Sequence, residues 1–120
     1  MSEEVNIEIT DEAGAAVVAF KTASIGSTED ITGISEKISE FIEENHPGKM
    51  VVDFDGVRFF CSQVLGLLLE IRAKLKTYDG EVEISGINPQ LYRIFKITHL
   101  DKIFRFFPDK ESAVKAEKTG

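Results

Sequence analysis

Of the residues that staple small extracellular folds, the chain has almost none: one cysteine, Cys61, in 120 residues. No disulfide can close within it, and the paired-cysteine motifs that bind zinc or carry a dithiol are excluded. A reducing compartment is the expected setting. No stretch approaches the roughly 18 apolar residues of a membrane span. The opening MSEEVNIEIT has neither the basic region nor the apolar run of a secretory leader. A cytoplasmic protein without a membrane span is therefore expected. Basic charge is scarce too, with 14 Lys and Arg against 21 Asp and Glu and a net charge of −7. The densest basic stretch, Arg72-Ala-Lys74-Leu-Lys76, is the polar side of one helical turn. Direct nucleic-acid binding needs a patch that neutralises phosphates and is not expected. Repeats, low-complexity tracts and linkers are lacking, and 120 residues fit one domain over 1–120.

What is present is enough apolar material for a core: 42% hydrophobic residues, nine of them Phe. Val5, Ile7 and Ile9 alternate with polar residues, Asp11-Glu12-Ala13-Gly14 interrupts, and Ala15 to Phe20 resumes, which predicts a hairpin. Ser27-Thr28-Glu29-Asp30 is an N-cap signature, and the apolar stripe at Ile31, Ile34, Ile38, Phe41 and Ile42 predicts a helix stopped by Pro47-Gly48. Lys49 to Phe54 is a short, nearly continuous apolar strand of the kind buried on both faces. A helix is predicted from Ser62 to Thr77, with Asp79-Gly80 closing it, and a strand over Glu81 to Ser85. Asn88-Pro89 opens another helix through Leu91, Ile94 and Phe95. Ile103 to Phe107 reads as the last strand, and Pro108-Asp109 opens a final helix over Ala113, Val114 and Ala116. The order β-β-α-β-α-β-α-β-α predicts an α/β fold. Its sheet is mixed and mainly parallel, with about five strands covered by about four helices and the hairpin at an antiparallel edge.

Two places draw attention as candidate reaction centres. Asp53-Phe54-Asp55-Gly56 ends an apolar strand and resembles the Asp-x-Asp-Gly of haloacid-dehalogenase-like phosphatases, with Ser85 similar to that family's phosphate-holding hydroxyl. Val57 stands where that family has Thr, and no later acidic cluster offers magnesium further ligands, which a metal catalyst needs. The structural alternative is that Asp53 caps its strand and Asp55-Gly56 makes a turn. The second place is Cys61-Ser62. A thiol at a helix start invites a nucleophile reading, but catalytic thiols need a base. His46 lies before a turn and His99 near a helix end, so Cys61 is expected to be a buried structural thiol. Ser62 reads on local grounds as an N-cap worth about 1 kcal/mol to its helix.

The run from Val51 to Phe104 is similar to the central part of a STAS domain, the fold of bacterial anti-sigma-factor antagonists. In that family an apolar strand ends in Asp. A loop then leads to Asp-Ser-Ser-Gly-x-Gly, a leucine-rich helix, a Gly turn, a strand, a helix opening near Pro and a closing Leu-x-x-Ile-Phe. Asp53 matches the strand end, Ser62 the first Ser, Gly66 the second Gly, Gly80 the turn and Pro89 the helix start, so the resemblance covers about residues 15–116. Cys61 replaces the motif's Asp, Gln63 its second Ser and Val64 its first Gly. The resemblance implies a non-enzymatic antagonist that binds an anti-sigma factor with serine-kinase activity. It would be switched off by phosphorylation of Ser62 and restored by a separate PP2C-like phosphatase. Partner contacts are expected from Ser24, Ile25 and Gly26, placed near Ser62 by the same resemblance, and from Cys61, Ser62, Gln63, Leu65 and Gly66. No cofactor, catalytic residue or metal ligand is implied. Two other functions fit the residues: a STAS scaffold subunit of a lipid-transport or stress-sensing complex, and a small Mg-dependent phosphotransferase using Asp53 and Asp55.

Overall fold

The structure, a computed structural model, describes residues 7–117. Its first hairpin pairs β1 (Ile7–Glu12) with β2 (Ala15–Phe20) in antiparallel register from Ile7↔Phe20 to Glu12↔Ala15. Both turn residues, Ala13 and Gly14, have positive φ, which is the backbone twist a two-residue hairpin loop requires. Val5, assigned to this strand from its alternation, lies outside the described residues. A two-residue strand β3 (Ser24–Ile25) leads to α1 (Thr28–Asn45). Ser27 caps α1, its hydroxyl accepting from the Asp30 N–H at 3.0 Å, and Ile34, Ile38 and Ile42 form the buried stripe.

The chain continues through β4 (Lys49–Asp53), β5 (Phe59–Phe60), α2 (Gln63–Lys76), β6 (Glu81–Ser85) and α3 (Pro89–Ile97). A 3-10 turn over Leu100–Lys102 precedes β7 (Arg105–Phe107) and α4 (Lys110–Lys115). The main sheet has five strands in the order β1-β2-β4-β6-β7, with β1 antiparallel and the remaining pairs parallel. This is the mixed, mainly parallel sheet with four helices that the element order predicts. Two details differ. The last strand starts at Arg105 because Leu100 to Lys102 are wound into the 3-10 turn. In addition, β3 and β5 pair with each other in parallel as a separate two-stranded sheet. Strands of two residues are too short to show the alternation by which strands are recognised.

Alternation along the strands sends Ala16, Val18, Met50, Val52 and Ile84 to the face covered by α1, α2 and α3, where they join the larger hydrophobic cluster. Val17 and Val51 face the other way and form a smaller hydrophobic cluster with Ala113, Val114 and Phe107. That second face also holds a charged cluster. Glu83, fully buried in β6, pairs with Lys49 at 3.5 Å and with Arg105 at 3.0 Å. The Lys49 ammonium also donates to the carbonyls of Ala113 and Ala116 at the end of α4, and Arg105 donates to the Glu117 carbonyl. Burial pushes the Glu83 carboxyl above its ordinary range, opposed by Lys49 and Arg105. Lys49 thus neutralises the sheet's buried charge and supplies a cation to a helix C-terminus, where the dipole favours one.

Candidate functional site

The loop after β4 carries both centres. Asp53 is nearly buried, and its Oδ1 accepts from the Ser85 hydroxyl at 2.9 Å and from the Asp55 N–H at 3.4 Å. Asp55-Gly56 then turns the chain, with Gly56 at φ 88° and the Val57 N–H donating to the Phe54 carbonyl at 2.9 Å. Ser85, matched by resemblance to a phosphate-holding hydroxyl, is spent on Asp53, and Asp55 is exposed on the turn. Among the described residues no group of three or more His, Cys, Asp and Glu is placed to hold a metal ion. The donor set at Asp53 and Asp55 therefore does not fit magnesium, which takes an octahedral set of oxygen ligands.

Gly86 makes this joint possible. At φ 67°, a Cβ there would stand 2.8 Å from Asp53 Oδ1 and 3.0 Å from the Asp55 nitrogen. Gly86→Ala is expected to lower stability by about 2 kcal/mol, from left-handed backbone and crowding together. Urea unfolding measures it, and a loss below about 0.5 kcal/mol would mean the joint relaxes at little cost.

Beyond the turn, β5 docks on β3, with Ser24 opposite Phe59 and Ile25 opposite Phe60. The Arg58 N–H donates to the Ala23 carbonyl at 2.8 Å and the Cys61 N–H to the Ile25 carbonyl at 2.9 Å. Phe60 points inward, its ring 5.6 Å from Phe54 and 6.1 Å from Phe95, so aromatic packing fixes the segment that enters α2. The residues around Ser24 and around Ser62 are thus brought together. Gln63 adds a polar tie between the starts of α1 and α2, its Oε1 accepting from Thr28 Oγ1 at 3.3 Å and from Cys61 Sγ at 3.8 Å.

Ser62 does not cap α2. Its backbone is already helical (φ −61°, ψ −18°), and its side chain makes no capping bond. A capping side chain needs an extended backbone to reach the N–H groups one turn on. Ser27 has that geometry (φ −128°, ψ 157°) and caps α1; Ser62 lacks it. The N-cap reading of Ser62 is therefore corrected: its hydroxyl is exposed at the helix start and does no capping. Cys61, just past β5, is half-buried, so the buried-thiol expectation is corrected as well. His46 and His99 both have left-handed backbones at the ends of α1 and α3, where they terminate helices.

Of the residues expected to touch a partner, Ser24, Gly26, Ser62, Gln63 and Gly66 are exposed and Cys61 half-exposed. Ile25 and Leu65 are buried and support the surface from beneath. The sequence reading did not single out Phe59, which lies opposite Ser24 and is 54% exposed. Phe59 and Phe60 are indistinguishable in composition, and only the pairing of β5 with β3 decides which faces out.

A five-stranded sheet carrying its three crossover helices on one face, with a small parallel strand pair leading to an exposed serine at the second helix, defines a STAS-type α/β domain. The chain belongs to the STAS domain family, whose family model matches residues 7–113. Its fold is similar to that of an anti-sigma-factor antagonist (STAS) domain protein from Planctomyces limnophilus. That match has a TM-score of 0.82 and 23% identity, covering 93% of this chain and 96% of the other. The phosphorylated form of the Bacillus cell-fate determinant SpoIIAA aligns with a TM-score of 0.72 and 17% identity over 91% of this chain and 96% of its own. Part of the murine anion transporter Slc26a9 aligns too, with a TM-score of 0.66 and 17% identity over 88% of this chain and 18% of the transporter. Among the described residues no helix is long and apolar enough to cross a membrane.

Proposed function

We propose that the chain is an anti-sigma-factor antagonist of a partner-switching pathway: a cytoplasmic binding module, with no chemistry of its own, that docks on an anti-sigma factor with serine-kinase activity. The observation that carries this reading is Ser62, exposed at the first turn of a 14-residue helix with its hydroxyl released from capping. Ser62 lies beside the β3–β5 pair, which gives a docking surface of fixed backbone around it. The kinase transfers the γ-phosphoryl group of ATP to Oγ: the new O–P bond forms, the bond to ADP breaks, and the hydroxyl proton passes to a base on the kinase. The added negative charge sits at the positive end of α2, whose first turn holds no acidic side chain, so the fold accommodates it. The same charge and bulk oppose a partner docked over that end. A PP2C-like phosphatase returns the hydroxyl.

The scaffold reading rests on Cys61, Gln63 and Val64, which depart from the family motif on both sides of Ser62, and one experiment separates the two. The purified chain is incubated with the serine-kinase anti-sigma factor of its source organism and ATP, and the modified position is mapped by mass spectrometry. Phosphate on Ser62, absent in Ser62→Ala, is the expected result. Since Ser62 makes no capping bond, Ser62→Ala is expected to unfold within about 0.5 kcal/mol of the wild type, short of the roughly 1 kcal/mol a lost cap costs. An unmodified Ser62 leaves the scaffold role.

A further inference from the structure

Ser62 is small and polar, so on the docking reading it governs whether binding occurs and contributes little contact area. Among the described residues the large apolar side chains left exposed are Phe59 at 54%, Leu69 at 37%, Ile97 at 70% and Ile103 at 41%. Of these, Phe59 alone lies on the strand pair that runs into Ser62. Among the described residues Phe59 is not part of the buried core. Phe60 fills the inward position, and an exposed Phe59 forgoes the hydrophobic stabilisation that burial would bring.

The backbone that carries the ring is nevertheless fixed. The Phe59 N–H, like that of Arg58, donates to the Ala23 carbonyl. Gly26 lies beneath the ring edge, where an added Cβ would stand 3.8 Å from Phe59 Cε2. An aromatic side chain with two torsions on an ordered backbone loses little conformational freedom on docking. Exposed Ser24, Ser62 and Gln63 lie along the same two strands and the helix start, so polar side chains neighbour Phe59 in the fold. Interface hot spots are enriched in aromatic residues surrounded by polar ones.

We propose that Phe59 is the affinity-determining residue of this surface, and that its partner presents an apolar socket edged by hydrogen-bonding groups that receives the ring. The inference rests on the docking reading and assigns the two functions to different residues: Phe59 sets how tightly the partner is held, Ser62 when it is held.

The probe is the purified serine-kinase anti-sigma factor of the source organism, titrated calorimetrically with wild type, Phe59→Ser, Phe59→Thr, Phe59→Tyr and, as a remote exposed-apolar control, Ile97→Ser. Phe59→Ser is expected to weaken binding by roughly 30-fold. Phe59→Tyr and Ile97→Ser should stay within about threefold, since a hot spot is local and its truncation exceeds that of neutral neighbours. Phe59→Thr keeps a strand-forming residue without the ring, so an equal loss in both truncations, with unchanged unfolding midpoints, separates lost binding from lost folding. Truncated variants that bind like the wild type while Ser62→Asp does not bind would overturn the role of Phe59 and leave the docking reading standing. Equal losses in Phe59→Ser and Ile97→Ser would overturn it in the same way. No binding by the unmodified wild type would overturn both.

Discussion

Lys49→Met is expected to cost about 4 kcal/mol of folding stability, in the range found when one member of a buried ion pair is removed. The residue looks unremarkable in sequence, a lysine at the start of a strand. In the fold its ammonium faces Glu83, which is fully buried, and the carbonyls that end α4. Methionine retains much of the stem's volume, so the loss comes from charge and hydrogen bonding more than from a cavity. Arg105 remains beside Glu83 and moderates the effect.

The pH dependence identifies Glu83 as the group that loses one of its two cations. Burial already holds the Glu83 carboxyl above its ordinary value of 4.5, and Lys49 is the first of the charges that pull it back. Without Lys49 the folded state favours the protonated carboxyl more strongly. A folded-state carboxyl with a raised pKa keeps a proton that the unfolded chain has released, so its favourable contribution is lost as pH rises. The deficit of Lys49→Met is therefore greatest at neutral pH and shrinks as pH falls toward the ordinary carboxylate range. Urea unfolding of wild type and variant at neutral and mildly acidic pH measures it, and adding Glu83→Gln to Lys49→Met should recover part of the loss. A deficit independent of pH would point away from Glu83.

Ser62→Asp is expected to weaken binding to the kinase by at least about 100-fold, since a like-charge or unpaired charge placed in an interface costs several kcal/mol. The same substitution should leave the fold intact, because a carboxylate at the start of α2 faces the positive end of the helix dipole. This opposition, neutral for folding and severe for binding, is what a switch position requires. Ser62→Ala provides the contrast: it should fold and bind like the wild type while escaping phosphorylation. A loss of stability in Ser62→Asp equal to its loss of binding would instead mark Ser62 as structural.

Much of the architecture was legible because it rests on local chemistry. Ser27 and Asn88 cap their helices as their residue types suggest, and Ala13-Gly14 turns the first hairpin. The hydrophobic run at Met50 to Val52 is buried on both faces. The site was legible only in outline. The resemblance singled out Ser62 as a candidate and associated Ser24 to Gly26 with it, but whether a serine at a helix start caps or points away depends on its own φ and ψ, which Ser27 and Ser62 show to differ. Phe59 and Phe60 could not be ranked without the β3–β5 pairing, and two-residue strands leave no periodic trace. The cluster of Lys49, Glu83 and Arg105 is assembled from three strands and an unlike set of spacings, so no local pattern announces it.

Titration of the anti-sigma factor with the unmodified chain and with the same chain carrying phosphate on Ser62, both prepared to homogeneity, tests the switch most directly. The unmodified chain should bind and the phosphorylated chain should bind at least about 100-fold more weakly, with the two unfolding at the same denaturant concentration. Equal affinity of the two forms would contradict the assignment of Ser62 as the switch.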